Sequence, residues 1–330
     1  MNIQPGPSFR NVPITAAVLL SMSLAACGGG GSTVTLPPPT GTASVDVTDA
    51  PADDVATVKL TISALSLKPD SGDPQYIEFD EPVVIDNLLA LQEGNVAALL
   101  PDTRLPAGRY NWVRLYVIGG GNDSWVMTDQ GEQVDLFVPG QQSANGQPRH
   151  IQLVSGFVIP AGGNVDFTLD IDLRRALTRP EGKDYYLIRP AMRIMDNSAT
   201  GSISGTVADA LVMAEGCSND LATDEGNAVY LYEGADAVTG DVHVDDLGMD
   251  VGDDSPMATA NVRQDPVSGA YEYVFGFVPA GEYTVAFTCN ALDDMPDSDD
   301  ALAFSAQANI VVAAGENTVQ DFSGEAPVAP

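Results

Sequence analysis

Apolar and polar residues alternate with period two along most of this chain, in short runs bounded by Gly, Pro, Asn or Asp. Successive side chains of a strand point to opposite faces, so such runs read as strands with one face in a core and one toward solvent. The pattern predicts strands at 43–47, 58–62, 76–79, 112–117, 125–127, 134–137, 150–154, 165–171 and 186–194. In the second half it predicts 202–207, 228–232, 271–277, 283–289 and 308–312. Residues 87–100 alone carry apolar spacing suited to a short helix or two. Many short strands with regular turn punctuation predict an all-β protein of two β-sandwich domains, 43–198 and 201–324, with a tail at 325–330.

The beginning of the chain follows a different pattern. Arg10 precedes an apolar run, 12–26, interrupted only by Pro13, Thr15, Ser21 and Ser23. A bilayer span needs roughly 20 residues, so this run is too short for one and fits a secretory signal. The glycines Gly28 to Gly31 that follow at once, with no cap or amphipathic period, argue against a buried helix. Leu24-Ala25-Ala26-Cys27 resembles the bacterial lipobox, in which cleavage precedes the cysteine and its thiol takes up diacylglycerol. The resemblance implies a signal peptide at 1–26, lipid on Cys27 and a membrane partner. Gly28, where an Asp would retain the protein at the inner membrane, implies sorting to the outer membrane of a Gram-negative cell. Residues 27–42 are rich in Gly and Pro and predict a tether, able to reach on the order of 50 Å when extended.

Charge narrows the partners. The chain has 14 basic and 46 acidic residues, net −32, with Asp outnumbering Glu 34 to 12. Residues 41–199 hold 12 basic and 22 acidic groups (12 − 22 = −10). Residues 200–330 hold Arg263 against 24 acids (1 − 24 = −23), and Arg10 completes the total. Such a field repels nucleic acid and anionic membrane surfaces. A salty exterior, which screens self-repulsion, accounts for the acid content. Export also fits the cysteines. With Cys27 lipidated, Cys217 and Cys289 form an even pair, and no metal or redox spacing competes for them, so a disulfide is expected. In the run ending at Cys289, period two places that thiol on the face of Tyr283, Val285 and Phe287, at or near a core.

The phrase Pro-Ala-Gly recurs before alternating runs, as Leu105-Pro-Ala-Gly-Arg-Tyr110, Ile159-Pro-Ala-Gly162 and Val278-Pro-Ala-Gly-Glu-Tyr283. It reads as a turn device, with proline fixing φ and glycine taking a positive φ. Thr48-Asp49-Ala50-Pro51, Ile85-Asp86-Asn87-Leu88-Leu89 and Leu105 to Tyr110 leading into Val113-Arg114-Leu115 resemble the bacterial domain of unknown function 4382 over residues 41 to about 197. That family brings no activity with it. Ile203-Ser-Gly205-Thr-Val207 and the run from Tyr273 to Val285 resemble a carboxypeptidase regulatory-like, collagen-adhesin B-type module of transthyretin-like fold. Such modules are usually non-catalytic spacers or binding domains, and the acidic insert 236–265 departs from a minimal one.

Catalytic residues are not identified. Histidine occurs only at 150 and 243, and no nucleophile elbow, zinc-protease, P-loop or dinucleotide fingerprint is present. The expectation is a non-enzymatic envelope protein acting in binding or surface architecture, without a required cofactor. A glycan-binding module or a hydrolase with an unrecognised site are the alternatives. For glycan, alternation sends Trp112, Arg114 and Tyr116 to one face of a strand, where rings could stack on sugars and Arg could hold a polar group. The competing reading covers that face with a loop or the other domain. Arg174, Arg175, Arg179, Arg189 and Arg193 could dock an anionic polysaccharide, or more simply the acidic second half. For calcium, hard oxygen ligands gather in Asp293, Asp294, Asp297, Asp299 and Asp300, and in Asp245, Asp246, Asp250, Asp253 and Asp254. Neither group fits an EF-hand, and a solvated acidic loop is the competing reading.

Overall fold

The computed structural model describes residues 38–50, 55–140, 148–245, 249–252 and 254–324. The signal peptide, Cys27, most of the tether, the tail, Pro51, Asp246 and Asp253 lie outside the described residues. Residues 38–330 group as one compact unit, and strands are the main regular element of the described residues.

Four sheets carry the described chain. The first orders Met192–Asp196, Asn164–Asp172, Thr40–Ala50 and Ala97–Pro106, with Thr40–Ala50 parallel to Asn164–Asp172 and antiparallel to Ala97–Pro106. A nine-stranded sheet is organised by Val55–Pro69, a 15-residue strand. It pairs with Trp125–Thr128 through its first residues and with Gln75–Ile85 and Gly108–Val117 further on. Leu60, Ile62, Leu65 and Leu67 of this strand are fully buried, as are Val113, Leu115 and Val117 across the ladder. One apolar cluster fills the space between these sheets and runs from Ala43 to Met192.

The second half forms two four-stranded sheets, one centred on Tyr271–Pro279 and Thr200–Val207, the other on Ala228–Glu233 and Gly281–Thr288. Its core runs from Ile203 to Phe322. Ala228–Glu233 is buried on both faces: Val229 and Leu231 enter that core, while Ala228, Tyr230 and Tyr232 enter a smaller cluster with Val242, Leu302 and Phe304. The acidic insert and the loop after Cys289 therefore cover the back of this sheet. Cys217 and Cys289 are bonded, with Cα atoms 5.1 Å apart, and Cys289 is buried in the core as its strand parity predicts.

Several elements differ from the sequence reading. The expected helices in 87–100 reduce to one 3-10 turn, Leu88–Leu91, capped by the Asn87 side chain, which accepts from Leu89 N at 3.2 Å. The strand Ala97–Pro106 follows it. The single run 186–194 is two strands, Tyr185–Ile188 and Met192–Asp196, lying in different sheets. Pro190 between them has no N–H for a ladder, so the chain changes sheets there. The first strand begins at Thr40, inside the expected tether.

The Pro-Ala-Gly turns use positive φ at Gly108 and Gly162. Gly281 does not adopt it. Two of the turns share a further device: Tyr110 Oη donates to Pro106 O, and Tyr283 Oη donates to Pro279 O, both at 2.8 Å.

Candidate functional site

Three places gather chemistry. The first is the outer face of the nine-stranded sheet. Trp112, Arg114 and Tyr116 share one face of Gly108–Val117, and all three are half-buried. The Arg114 guanidinium lies 4.1 Å from the Trp112 ring centroid, and its Nε donates to Gln152 Oε1 at 2.6 Å. Tyr116 meets Tyr76 edge-on at 5.2 Å and His150 at 5.3 Å between centroids. Ala64 and Ser66 of the neighbouring strand, paired with Tyr116 and Arg114, are buried. Burial first, then the charges of Arg114 and Arg149, hold the His150 pKa below its ordinary value. The face thus presents rings, a guanidinium and a carboxamide, with Tyr76 54% exposed.

The second place is the contact between the two halves, and it takes up most of the arginines expected there. Arg174 Nη1 donates to Tyr230 Oη at 2.7 Å and to Asp294 Oδ2 at 3.2 Å. Arg175 Nε donates to Asp250 Oδ1 at 2.7 Å, and its other nitrogens engage Asp172 and Pro256 O. Arg193 pairs with Asp170 of its own half at 2.6 Å and reaches Met257 O of the other at 3.5 Å, and Arg189 reaches Asp245 O at 3.3 Å. Arg179 instead lies over Tyr186 and 3.8 Å from Glu132 within its own half. Both Asp172 contacts of Arg175 follow from a one-turn helix, Leu173–Ala176, whose cap is Asp172.

The calcium candidates separate. Asp294 and Asp300 come together with Asp241, their nearest carboxylate oxygens within 4.8 Å of one another, while Asp293, Asp297 and Asp299 are exposed and outside this group. Protein donors already occupy it. Asp294 takes Arg174, Tyr230 and Val242 N; Asp300 Oδ2 takes Met295 N and Ser298 Oγ; Asp241 Oδ2 takes Asp300 N at 2.5 Å. Burial raises the Asp294 pKa against the opposing charge of Arg174. Of the other group, Asp250 is bound to Arg175, and Asp245 Oδ1 accepts from Met249 N at 3.0 Å.

The third place was not anticipated. A cavity of about 40 Å³ lies between the halves, lined from the first by Thr48, Asp49, Gln92 and Asp170 and from the second by Thr259 and Asn261. Asp49 is only 6% exposed, and neither carboxylate oxygen has a hydrogen-bond partner among the described residues. Burial, then Asp170 and Asp172, push its pKa well above the usual carboxylate range. A signal existed in the sequence: Ala43, Val45 and Val47 are buried, and Asp49 continues their parity.

Residues 40–190 match the family model described as a domain of unknown function, DUF4382. The DUF4382 segment thus contains the aromatic face, Asp49 and all the contact arginines except Arg193. No curated protein sequence matches the chain. Among solved structures, a leucine-rich repeat protein from Bacteroides thetaiotaomicron is 9% identical, with 86% of this chain and 26% of that one covered and a TM-score of 0.21. The minor pilin GBS52 of Streptococcus agalactiae is 11% identical, with 87% and 98% covered and a TM-score of 0.18. A fimbrial protein from Bacteroides ovatus is 10% identical, with 88% and 50% covered and a TM-score of 0.17. The chain spans 26% and 34% of the first two structures matched. Similarity at this level carries no argument about fold or activity.

Proposed function

We propose that this chain is a non-enzymatic, lipid-anchored envelope protein, held at the outer membrane through Cys27, that binds carbohydrate on the outer sheet face of its DUF4382 segment. The observation that supports this reading is the row formed by Tyr76, Tyr116 and His150 beside Trp112 and Arg114. Rings on a rigid sheet offer apolar faces to sugars at little cost in conformational entropy, and Arg114 and Gln152 supply directed polar groups. A hydrolase would need His150 or His243 in a cleft with carboxylates. His150 instead packs on Tyr116 under the charges of two arginines, which disfavours a protonated acid there.

A glycan array probed with the full-length chain in detergent tests the binding. Saturable binding to at least one glycan is expected, weakened at least tenfold by Trp112→Ala and by Tyr116→Ala. No saturable binding, or binding indifferent to both substitutions, would remove the carbohydrate reading. The anchor is tested separately: Cys27→Ser should abolish incorporation of labelled palmitate, and retained label would refute lipidation at that residue.

A further inference from the structure

Five buried polar atoms of residues lining the cavity between the halves have no hydrogen-bond partner among the described residues. They are both oxygens of Asp49, Oδ1 of Asp170, Oγ1 of Thr259 and Nε2 of Gln92. A folded protein rarely leaves buried polar groups unpaired, because each costs its full desolvation penalty. Concentrated around one space, they describe a group that should be there. Its size follows from the cavity, about 40 Å³, which has room for a small ion with a water. Its charge preference follows from the buried lining: Arg193 already holds Asp170, so Asp49 is the lining acid without a basic partner among the described residues.

We propose that this cavity is a calcium site that joins the two halves of the molecule. Every donor it offers is a hard oxygen once the Gln92 carboxamide is turned about its last torsion, an assignment that nitrogen and oxygen positions alone do not fix. With neither sulfur nor imidazole in the lining, the softer transition metals are disfavoured. Magnesium prefers an octahedral shell and keeps several waters, whereas calcium accepts irregular sets of carboxylate, hydroxyl and carboxamide oxygens. Arg193 holds Oδ2 of Asp170 at 2.6 Å, leaving Oδ1 as the oxygen for the ion. Asp49 and Asp170 come from the first half and Thr259 from the second, so one ion would tie them together. Asp241, Asp294 and Asp300 are a poorer candidate, because Arg174, Tyr230 and main-chain amides already satisfy them.

The experiment is calcium titration of the metal-stripped full-length chain in detergent and 150 mM NaCl (about the physiological ionic strength at which weak surface binding is screened), read by calorimetry and by melting temperature. One equivalent is expected to bind tightly and to raise the melting temperature. Asp49→Asn and Thr259→Val should weaken that equivalent at least tenfold, the second with little risk to folding, while Asp241→Asn leaves it intact. No tight equivalent in the parent, or its loss only in Asp241→Asn, would overturn the proposal and leave the cavity to water. Equal binding by magnesium would overturn the choice of ion.

Discussion

Arg174 shows what a charge needs before it can leave water. Its side chain is 3% exposed and that of Asp294 is fully buried, yet both have partners: each other at 3.2 Å and the Tyr230 hydroxyl between them. Val242 N adds a donor to Asp294 at 3.1 Å. Removing one member of such a pair leaves a buried charge without compensation, at a cost of about 3–5 kcal/mol. Arg174→Ala should therefore lower unfolding free energy by that amount in urea titrations, and Arg174→Ala with Asp294→Ala should cost clearly less than the two single losses added. Additive losses would show that the pair is not coupled. Lys59 and Asp86, 4.0 Å apart with Asp86 91% exposed, have the same chemistry without the burial, and water screens them. The sequence could flag the arginines as a cluster; it could not show that Tyr230, 56 positions away, closes the network.

At the scale of elements, period two carried most of the reading. Strands such as Thr200–Val207 and Tyr271–Pro279 were legible because their inward positions are almost all apolar. Ala97–Pro106 was not legible, because Pro101, Asp102 and Arg104 interrupt its alternation and the leucines before it mimic a helical spacing. The tyrosine that ends two of the Pro-Ala-Gly phrases was also missed: its ring fills the core and its hydroxyl fastens the turn, two functions that spacing alone does not separate. The disulfide was legible because, with Cys27 set aside for the expected lipid, Cys217 and Cys289 are the cysteines that remain. It closes a 72-residue separation between the loop after Val212 and the end of Gly281–Thr288, and loop entropy assigns it about 4 kcal/mol. Cys217→Ala with Cys289→Ala should lower the urea midpoint accordingly, with the slope steepened or unchanged. An unaltered midpoint would mean that the core alone holds this loop.

For the whole molecule, the puzzle is why two acidic halves stay together. The second half carries −23 and the first −10, so their net charges repel. Their contact reverses the sign locally, because Arg174 and Arg175 of the first half meet Asp294 and Asp250 of the second. Close approach of the backbone finishes the fit. Gly94, at φ +83°, faces Gly276, where an added Cβ would lie 2.6 Å from the Gly94 Cα. Neither backbone can yield without moving a turn or a strand, so Gly276→Ala should push the halves apart beside the cavity that holds Asp49. The expected cost is about 1–3 kcal/mol, and its form matters more than its size. Separate apolar cores allow each half to unfold alone once the contact weakens. Scanning calorimetry of the parent should therefore give one transition and Gly276→Ala two, with proteolysis between them favouring residues 197–199. A single transition in the variant, merely displaced, would mean that the arginine contacts suffice to keep the halves cooperative and that the glycine pair contributes only packing.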